Sequence, residues 1–330
     1  MARNGSRVTI LDVAARAGVH AATVSRALNR PEKVADETRK RVEEAVSELG
    51  FVPNRAARGL ITGRTGNIAV IVPDITNPFF GLLVRSIERA ARETDQQVLL
   101  VDTGERKDEE ERAARALGPE VDGLIVVSPR KLHRSLEDQA TPTVFVNRPV
   151  KGRASVVMRS AAAAADAMHH LASLGHRRLV YVGGPQGAWA AVERRDAVLR
   201  TGRSSGIEVE IIRADAPTVE GASAAVDFVL AHGATAVMAF NDQLALGVIA
   251  GLTRRGVRVP DDISVVGCDD VPMAEMVAPP LTTITMPTEE AGAAAVALLE
   301  GEPTSVALAG TLVVRGSTGP VSGEHSALRR

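Results

Sequence analysis

Thr23, Ser25, Arg26 and Asn29 lie within seven residues of one another and carry the hydrogen-bonding chemistry needed to read nucleic acid. Arg26 can donate a fork of hydrogen bonds to guanine, while Ser25 and Asn29 can reach phosphates or base edges. Val24 and Leu28 fall on the opposite face at helical spacing, so one helix can bury the apolar pair and present the polar set. A preceding element must hold that helix in place. In VTILDVAARAGVH, Thr9 and Asp12 have capping-box spacing, Val13, Ala14 and Ala17 form an apolar stripe, and Gly18 stands where the helix must stop. Val19 can fill the angle before a second helix from about Ala21 to Asn29. The pattern over residues 8–29 is a helix-turn-helix; an ordinary amphipathic hairpin shares it locally. A third helix is expected from Asp36 to Leu49, with Ala35, Val42, Ala45, Val46 and Leu49 as its buried stripe and Gly50 as its end.

A second set of polar residues recurs where apolar runs end. From Asn67 onward IAVIV, VLLV, LIVV, TVFV, LVYV, VEII, AVMAF, ISVVG and TTITM alternate with helical stretches at 80–93, 161–174, 190–201, 219–232, 242–255 and 289–300. Continuous apolar strands separated by helices imply parallel sheets covered on both faces, and this many strands fit two sheets better than one. Ligands of such folds bind beyond the carboxyl ends of the strands. Asp74, Asn77, Phe79 and Phe80 follow the first run, Asn147 and Arg148 follow TVFV, Asn241 and Asp242 follow AVMAF, and Asp269 and Asp270 follow SVVGC. Carboxylates, amides and an arginine converging on one cleft would bind the hydroxyls of a sugar or related metabolite. Phe79, Phe80, Trp189 and Tyr181 are the rings available to stack on it. Helix capping is the competing role for such residues, above all for Asn241 before DQLALGV.

A chain of 330 residues exceeds one ordinary core and calls for two or three domains. Its 45% hydrophobic and 24% charged residues describe a globular protein, and no apolar run reaches the ~18 residues of a membrane helix. The polar start MARNGSR does not read as a signal peptide, so a cytoplasmic location is expected. Cys268 is the single cysteine and reads as a small core residue. The net charge of −1 conceals an asymmetry: residues 1–64 carry +5 and the remainder −6. A basic head on an acidic body suits a head that meets phosphate.

The run VTILDVAARAGVHAATVSRALN, followed by TRKRV, LGFVPNRAARGL and IAVIVPDITNPFF, resembles the bacterial lactose-repressor/galactose-repressor family of transcription factors, from Val8 to about Ser317. The resemblance implies an N-terminal three-helix head (1–50), a hinge helix and linker (51–65), and an α/β core of two lobes like the periplasmic binding proteins (66–320). The N-lobe would comprise about 66–160 and 288–315, the C-lobe about 161–287, and 321–330 would be a tail. It implies that Val34, Thr38 and Arg39 lie at the DNA backbone, that Thr9 is a further DNA-binding residue and that Ala21 and Ala22 occupy base-contact positions. His20, in place of the usual serine, would donate to phosphate. Leu60, flanked by Asn54, Ala57 and Arg58, corresponds to an apolar wedge inserted into the minor groove. Arg194 matches the arginine used for the effector. The aspartate many members place after the strand SVVM is alanine here, within 161–165, and Ala35 replaces a serine.

The expected partners are therefore operator DNA, a small-molecule effector and a second copy of the chain, with no metal, cofactor or membrane. The expected function is a ligand-responsive repressor acting at a near-palindromic operator in the bacterial nucleoid. An activator or co-repressor-dependent regulator is an alternative. So is a transport-type solute-binding protein, which predicts a signal peptide and no helix-turn-helix. An enzyme lacks a credible nucleophile: Gly202–Gly206 fits G-x-S-x-G but leaves a helix and enters a strand, the reverse of a nucleophile elbow. His169, His170 and His176 lack the cysteine or carboxylate spacing of a metal site.

Overall fold

The structure is a computed structural model describing residues 8–52, 63–132, 140–214 and 216–321. The chain divides into two compact units, Met1–Thr65 and Gly66–Arg330. The first holds α1 (Ile10–Ala17), α2 (Ala21–Asn29) and α3 (Asp36–Leu49). Thr9 and Asp12 form the full capping box at the start of α1, where the Thr9 N–H donates to Asp12 Oδ2 at 2.8 Å. Gly18 ends the helix at φ +67°, a left-handed conformation that glycine adopts without a Cβ clash, and frees the Val19 N–H to bond Ala14 O at 3.0 Å. Val13, Ala14, Ala17, Val24, Ala27, Val42 and Ala45 make the core. Ala27 thus takes a core place expected of Leu28, which is only half-buried. Ala35 departs from expectation too. It is exposed at the N-cap of α3, outside the buried face that Val42 and Ala45 make further along the helix.

The second unit starts with β1 (Asn67–Val72), α4 (Pro78–Glu93), β2 (Gln97–Asp102), α5 (Lys107–Leu117), β3 (Gly123–Val127), β4 (Thr143–Val146) and β5 (Ala154–Arg159). It continues through α6 (Ala161–Ser173), β6 (Arg178–Gly183), α7 (Trp189–Ser205), β7 (Glu208–Arg213), α8 (Ser223–Ala231), β8 (Ala236–Ala239), α9 (Asp242–Arg254), β9 (Ser264–Val266) and α10 (Met273–Met276). It closes with β10 (Thr283–Thr285), α11 (Thr288–Ala297), β11 (Ser305–Ala309) and β12 (Thr311–Val313).

One sheet runs β11-β5-β4-β3-β1-β2 and another β7-β6-β8-β9, with every pairing parallel. Alternate residues of β1 enter different cores: Ile68, Val70 and Val72 pack with Leu83 and Ile87 of α4, and Ala69 and Ile71 pack with Leu124, Val126 and Phe145. Burial on both faces is what the continuous apolar run required. The edge strands β2 and β7 are exposed at alternate or adjacent positions despite their apolar sequences.

The run TTITM is not a full strand of either large sheet, and only isolated parallel bridges, Val266–Thr282 and Asp269–Thr285, tie it to β9 and the turn after it. Its β10 pairs antiparallel with β12 as a separate ribbon, because both segments carry the chain between lobes. β10 leads to α11, which packs on α4 through a Ser86 Oγ–Glu289 O bond of 2.8 Å, and β12 leads back to Ser317, whose carbonyl accepts from Val265 N at 2.8 Å. The apolar runs gave no sign of β11 and β12, since both are short and none of their residues is buried.

Candidate functional site

On the first unit, α2 turns Ala22 and Arg26 outward; both are exposed, while Thr23 and Ser25 are half-buried. His20 is exposed at the N-cap and its ring makes no capping bond. Ala21 is half-buried and packs partly against the core, and Ala22 and Arg26 are the exposed side chains among those described in the helix. Thr9 Oγ1 is engaged with Asp12 Oδ2 at 2.7 Å, and these bonds hold the Asp12 carboxyl below its ordinary range. Val34 packs partly into the core, Thr38 is half-buried, and Arg39 pairs with Asp36 at 3.1 Å. Asn29 closes α2. Asn54, Ala57, Arg58 and Leu60 lie outside the described residues.

In the second unit a cleft of about 560 Å³, partly open to solvent, lies where strand ends of both lobes meet. Asn77, Phe79 and Phe80 enter it from the start of α4, Asn147 from the end of β4, Trp189 and Arg194 from α7, and Asn241 and Asp269 from beyond β8 and β9. Asn77 caps α4 by accepting from Phe79 N at 3.1 Å, and the Phe79 and Phe80 rings meet edge to face at 5.2 Å. Asn241 Oδ1 caps α9 at Leu244 N (3.0 Å), and the residue also lines the cleft.

Arg194 is 3% exposed. Its Nε donates to Ser160 Oγ at 3.1 Å, its Nη1 bonds Phe240 O, and its guanidinium lies 4.8 Å from the Phe240 ring centroid. Burial pushes the Asp269 carboxyl well above its ordinary range, and the Arg194 charge pulls it part of the way back. Asn147 Oδ1 is buried and has no hydrogen-bond partner among the described residues. A buried amide oxygen without a donor is costly, and a ligand hydroxyl can supply the donor.

Backbone conformation marks the same place. Among the described residues six non-glycine positions have positive φ, and four of them line the cleft: Glu105 (+62°), Ser128 (+46°), Asn147 (+59°) and Asp269 (+124°). Such conformations cost roughly 1–3 kcal/mol each and persist where surrounding structure enforces them, often at binding sites.

Five expected cleft residues are elsewhere. Asp74 turns back on its own loop, accepting from Thr76 N at 2.9 Å and Thr76 Oγ1 at 2.6 Å. Arg148 donates from one nitrogen to Pro129 O (2.9 Å) and Gly187 O (3.0 Å), so it ties a carbonyl of each lobe to the other instead of entering the cleft. Asp242 is fully buried behind Asn241, and Asp270 pairs with Arg315 at 2.7 Å. Tyr181 belongs to the core beneath the sheet.

The residues not foreseen are Glu105, Ser128 and Arg130, with Met158, Pro217, Phe240 and Met286 as further walls. Arg130 Nε donates to Glu105 Oε2 at 2.5 Å and Nη1 to Ser128 O at 3.0 Å. The rule that found Asn147 applies equally to these three, since Glu105 follows β2 and Ser128 and Arg130 follow β3. Ser204 of the G-x-S-x-G stretch bonds Thr201 O at 3.1 Å inside α7, so no strand-to-helix elbow exists there. Among the described residues no helix is long and apolar enough to cross a membrane.

Residues 9–54 match the family described as "Bacterial regulatory proteins, lacI family", and 168–318 match "Periplasmic binding protein-like domain". The HTH-type transcriptional repressor CytR of Escherichia coli (strain K12) is 34% identical, with 94% of this chain and 96% of that protein covered. The lac repressor dimer bound to operator and the anti-inducer ONPF superposes with a TM-score of 0.85 at 27% identity, covering 95% of this chain and all of that one. The CelR–cellobiose complex superposes at 0.70 with 31% identity, over 94% of this chain and all of that one. With a capped helix-turn-helix at one end, a two-lobed parallel α/β core after it and relatives matched over nearly their full length, the chain belongs to the lacI family of bacterial regulatory proteins.

Proposed function

We propose that the chain is a ligand-responsive repressor that binds a near-palindromic operator as a homodimer, through Ala22, Thr23, Ser25, Arg26 and Asn29 of α2, in the bacterial cytoplasm. The effector is a sugar or related polyhydroxylated metabolite held in the cleft. Arg194 donates to its hydroxyls, Asn147, Asn241 and Asp269 accept from them, and Phe79, Phe80 and Trp189 cover its apolar face. The observation that carries this reading is the orphaned, buried Asn147 Oδ1 in a cleft that also holds Arg194 and Asp269. The relatives support it: the lac repressor dimer was solved on operator DNA, and CelR was solved with cellobiose. On this reading the head, hinge and core are separate functional parts, and residues 51–65 transmit lobe arrangement to the paired heads.

Trp189 is the only tryptophan in the chain and lines the cleft, so ligand entry should change its emission. The test titrates a panel of neutral mono- and disaccharides, cellobiose included, against Trp189 fluorescence. In parallel, binding to the protein's own promoter DNA is measured with and without each sugar. A sugar that both perturbs Trp189 and changes DNA affinity supports the reading; operator binding unresponsive to every cleft ligand refutes it.

A further inference from the structure

Asp269 is presented to the cleft by the turn Cys268–Val271, whose backbone is left-handed at both Asp269 (φ +124°) and Asp270 (φ +56°). Something must hold two L-residues there. Two side chains that do not line the cleft bind this turn from opposite sides. Asp242, at the start of α9, accepts from Val271 N through Oδ2 at 2.9 Å and from Thr283 Oγ1 through Oδ1 at 2.5 Å; Asp242 and Thr283 are both fully buried. The carboxylate sits so close beneath the turn that a Cβ on Gly267 would lie 2.2 Å from Asp242 Oδ1. From the other side, Arg315 pairs with Asp270 Oδ1 at 2.7 Å. The same guanidinium donates to Glu275 Oε1 and Leu281 O, each at 3.0 Å, and the Arg315 N–H donates to Thr282 Oγ1 at 2.9 Å.

Both braces end on segments that pass between the lobes. Thr283 belongs to β10, Arg315 follows β12, and the two strands pair at Ile284 and Leu312. The turn itself is laced to the same passage by Asp269 N donating to Ile284 O at 2.8 Å and Gly267 N to Thr282 O at 2.9 Å.

We propose that Asp242 and Arg315 are positioning residues for the ligand cleft. They hold the 268–271 turn so that Asp269 faces the ligand, and they fasten it to the chain segments joining the lobes. The inference rests on the cleft being the effector site, as proposed above. A ligand that pulls on Asp269 then acts through a stiff connection on the crossover strands rather than through a free loop.

The test is amide hydrogen exchange on the full-length chain without ligand, comparing wild type with Asp242→Ala, Asp242→Asn and Arg315→Ala. Asp242→Ala and Arg315→Ala should exchange at least tenfold faster in peptides spanning 266–272 and 281–286, with β1 and β3 peptides unchanged. Asp242→Asn, which keeps an oxygen acceptor, should restore most of the protection. Effector affinity, read from Trp189, should fall at least tenfold in Arg315→Ala. Wild-type exchange in those peptides overturns the proposal, as does a uniform rise across the second unit or a loosened turn with unchanged effector affinity. Should Asp242→Ala fail to fold, Arg315→Ala decides alone. If no sugar perturbs Trp189 in the wild type, the reading of the cleft fails, while the exchange data still decide whether the two residues hold the turn.

Discussion

Arg194 is a buried cation whose neighbours are chosen to keep it charged and aimed. Burial opposes its charge, and the nearby carboxyl groups of Asp269 and Glu193 favour it. Ser160 Oγ and Phe240 O fix the plane of the fork, and the Phe240 ring backs it. Removing the guanidinium would strip Ser160 Oγ and Phe240 O of their donor and leave Asp269 without the nearby positive charge that favours its ionised form. Arg194→Ala should therefore abolish the sugar response and lower the melting temperature of the core, while operator affinity in the absence of sugar stays within twofold of wild type. Arg194→Lys should not rescue the response, because a point ammonium cannot reproduce three fixed directions. Sugar titrations of Trp189 emission beside DNA-binding isotherms check both; a retained response in Arg194→Ala would remove this residue from the site.

Helix starts hold the chemistry in both units, and each has a distinct origin. At α1 the cap is local: Thr9 and Asp12 satisfy each other's backbone donors three residues apart. Thr9→Ala should destabilise the head by about 1 kcal/mol, seen in the thermal melt of a head-specific probe such as exchange of the α1 amides. At α9 the cap is local too, from Asn241 to Leu244, but the first acid of the helix is held by distant partners and has an unusual titration. Burial pushes the Asp242 carboxyl up to about 6 from an ordinary value of 3.8, against the opposing bonds from Thr283 and Val271. The native state then holds this proton more tightly than the unfolded chain does. Stability from the group is full below about pH 4 and declines as pH rises toward 6, by up to ~3 kcal/mol. Asp242→Asn has no proton to lose, so its urea midpoints between pH 4 and 7 should fall less steeply than those of wild type. Parallel slopes would show that Asp242 does not titrate in this window.

Across the whole chain, regulation requires only that ligand and DNA favour different arrangements of the same molecule. A coupling of about 1–3 kcal/mol between sites suffices to change occupancy severalfold or more. Residues 1–64 carry +5 against −6 for the rest, so DNA affinity should fall steeply with added salt while sugar affinity stays nearly flat. Leu60→Ala should weaken operator binding by at least tenfold and leave the Trp189 titration unchanged, which separates loss of the wedge from loss of the cleft. Equal operator affinity in Leu60→Ala would argue against minor-groove insertion.

The division between what was legible in the residues and what needed the folded chain follows the range of the forces involved. Helix-turn-helix geometry is local: a capping box, an apolar stripe at helical spacing and a left-handed glycine are all encoded within ten residues, so Val8–Asn29 could be read directly. The alternation of apolar runs with helices likewise announced parallel sheets, and strand ends announced where the cleft would open. Which strand-end side chain faces the cleft is a different matter, because each can bond its own loop, a neighbouring loop or a ligand, and partners far away in sequence decide. Asp74 found Thr76 close by, Asp242 found Thr283 forty-one residues on, and Arg148 found carbonyls of both lobes. Glu105 and Arg130 became cleft walls only because β1 lies between β2 and β3 and brings their loops together. Local periodicity wrote the elements, and competition among non-local hydrogen bonds chose the site.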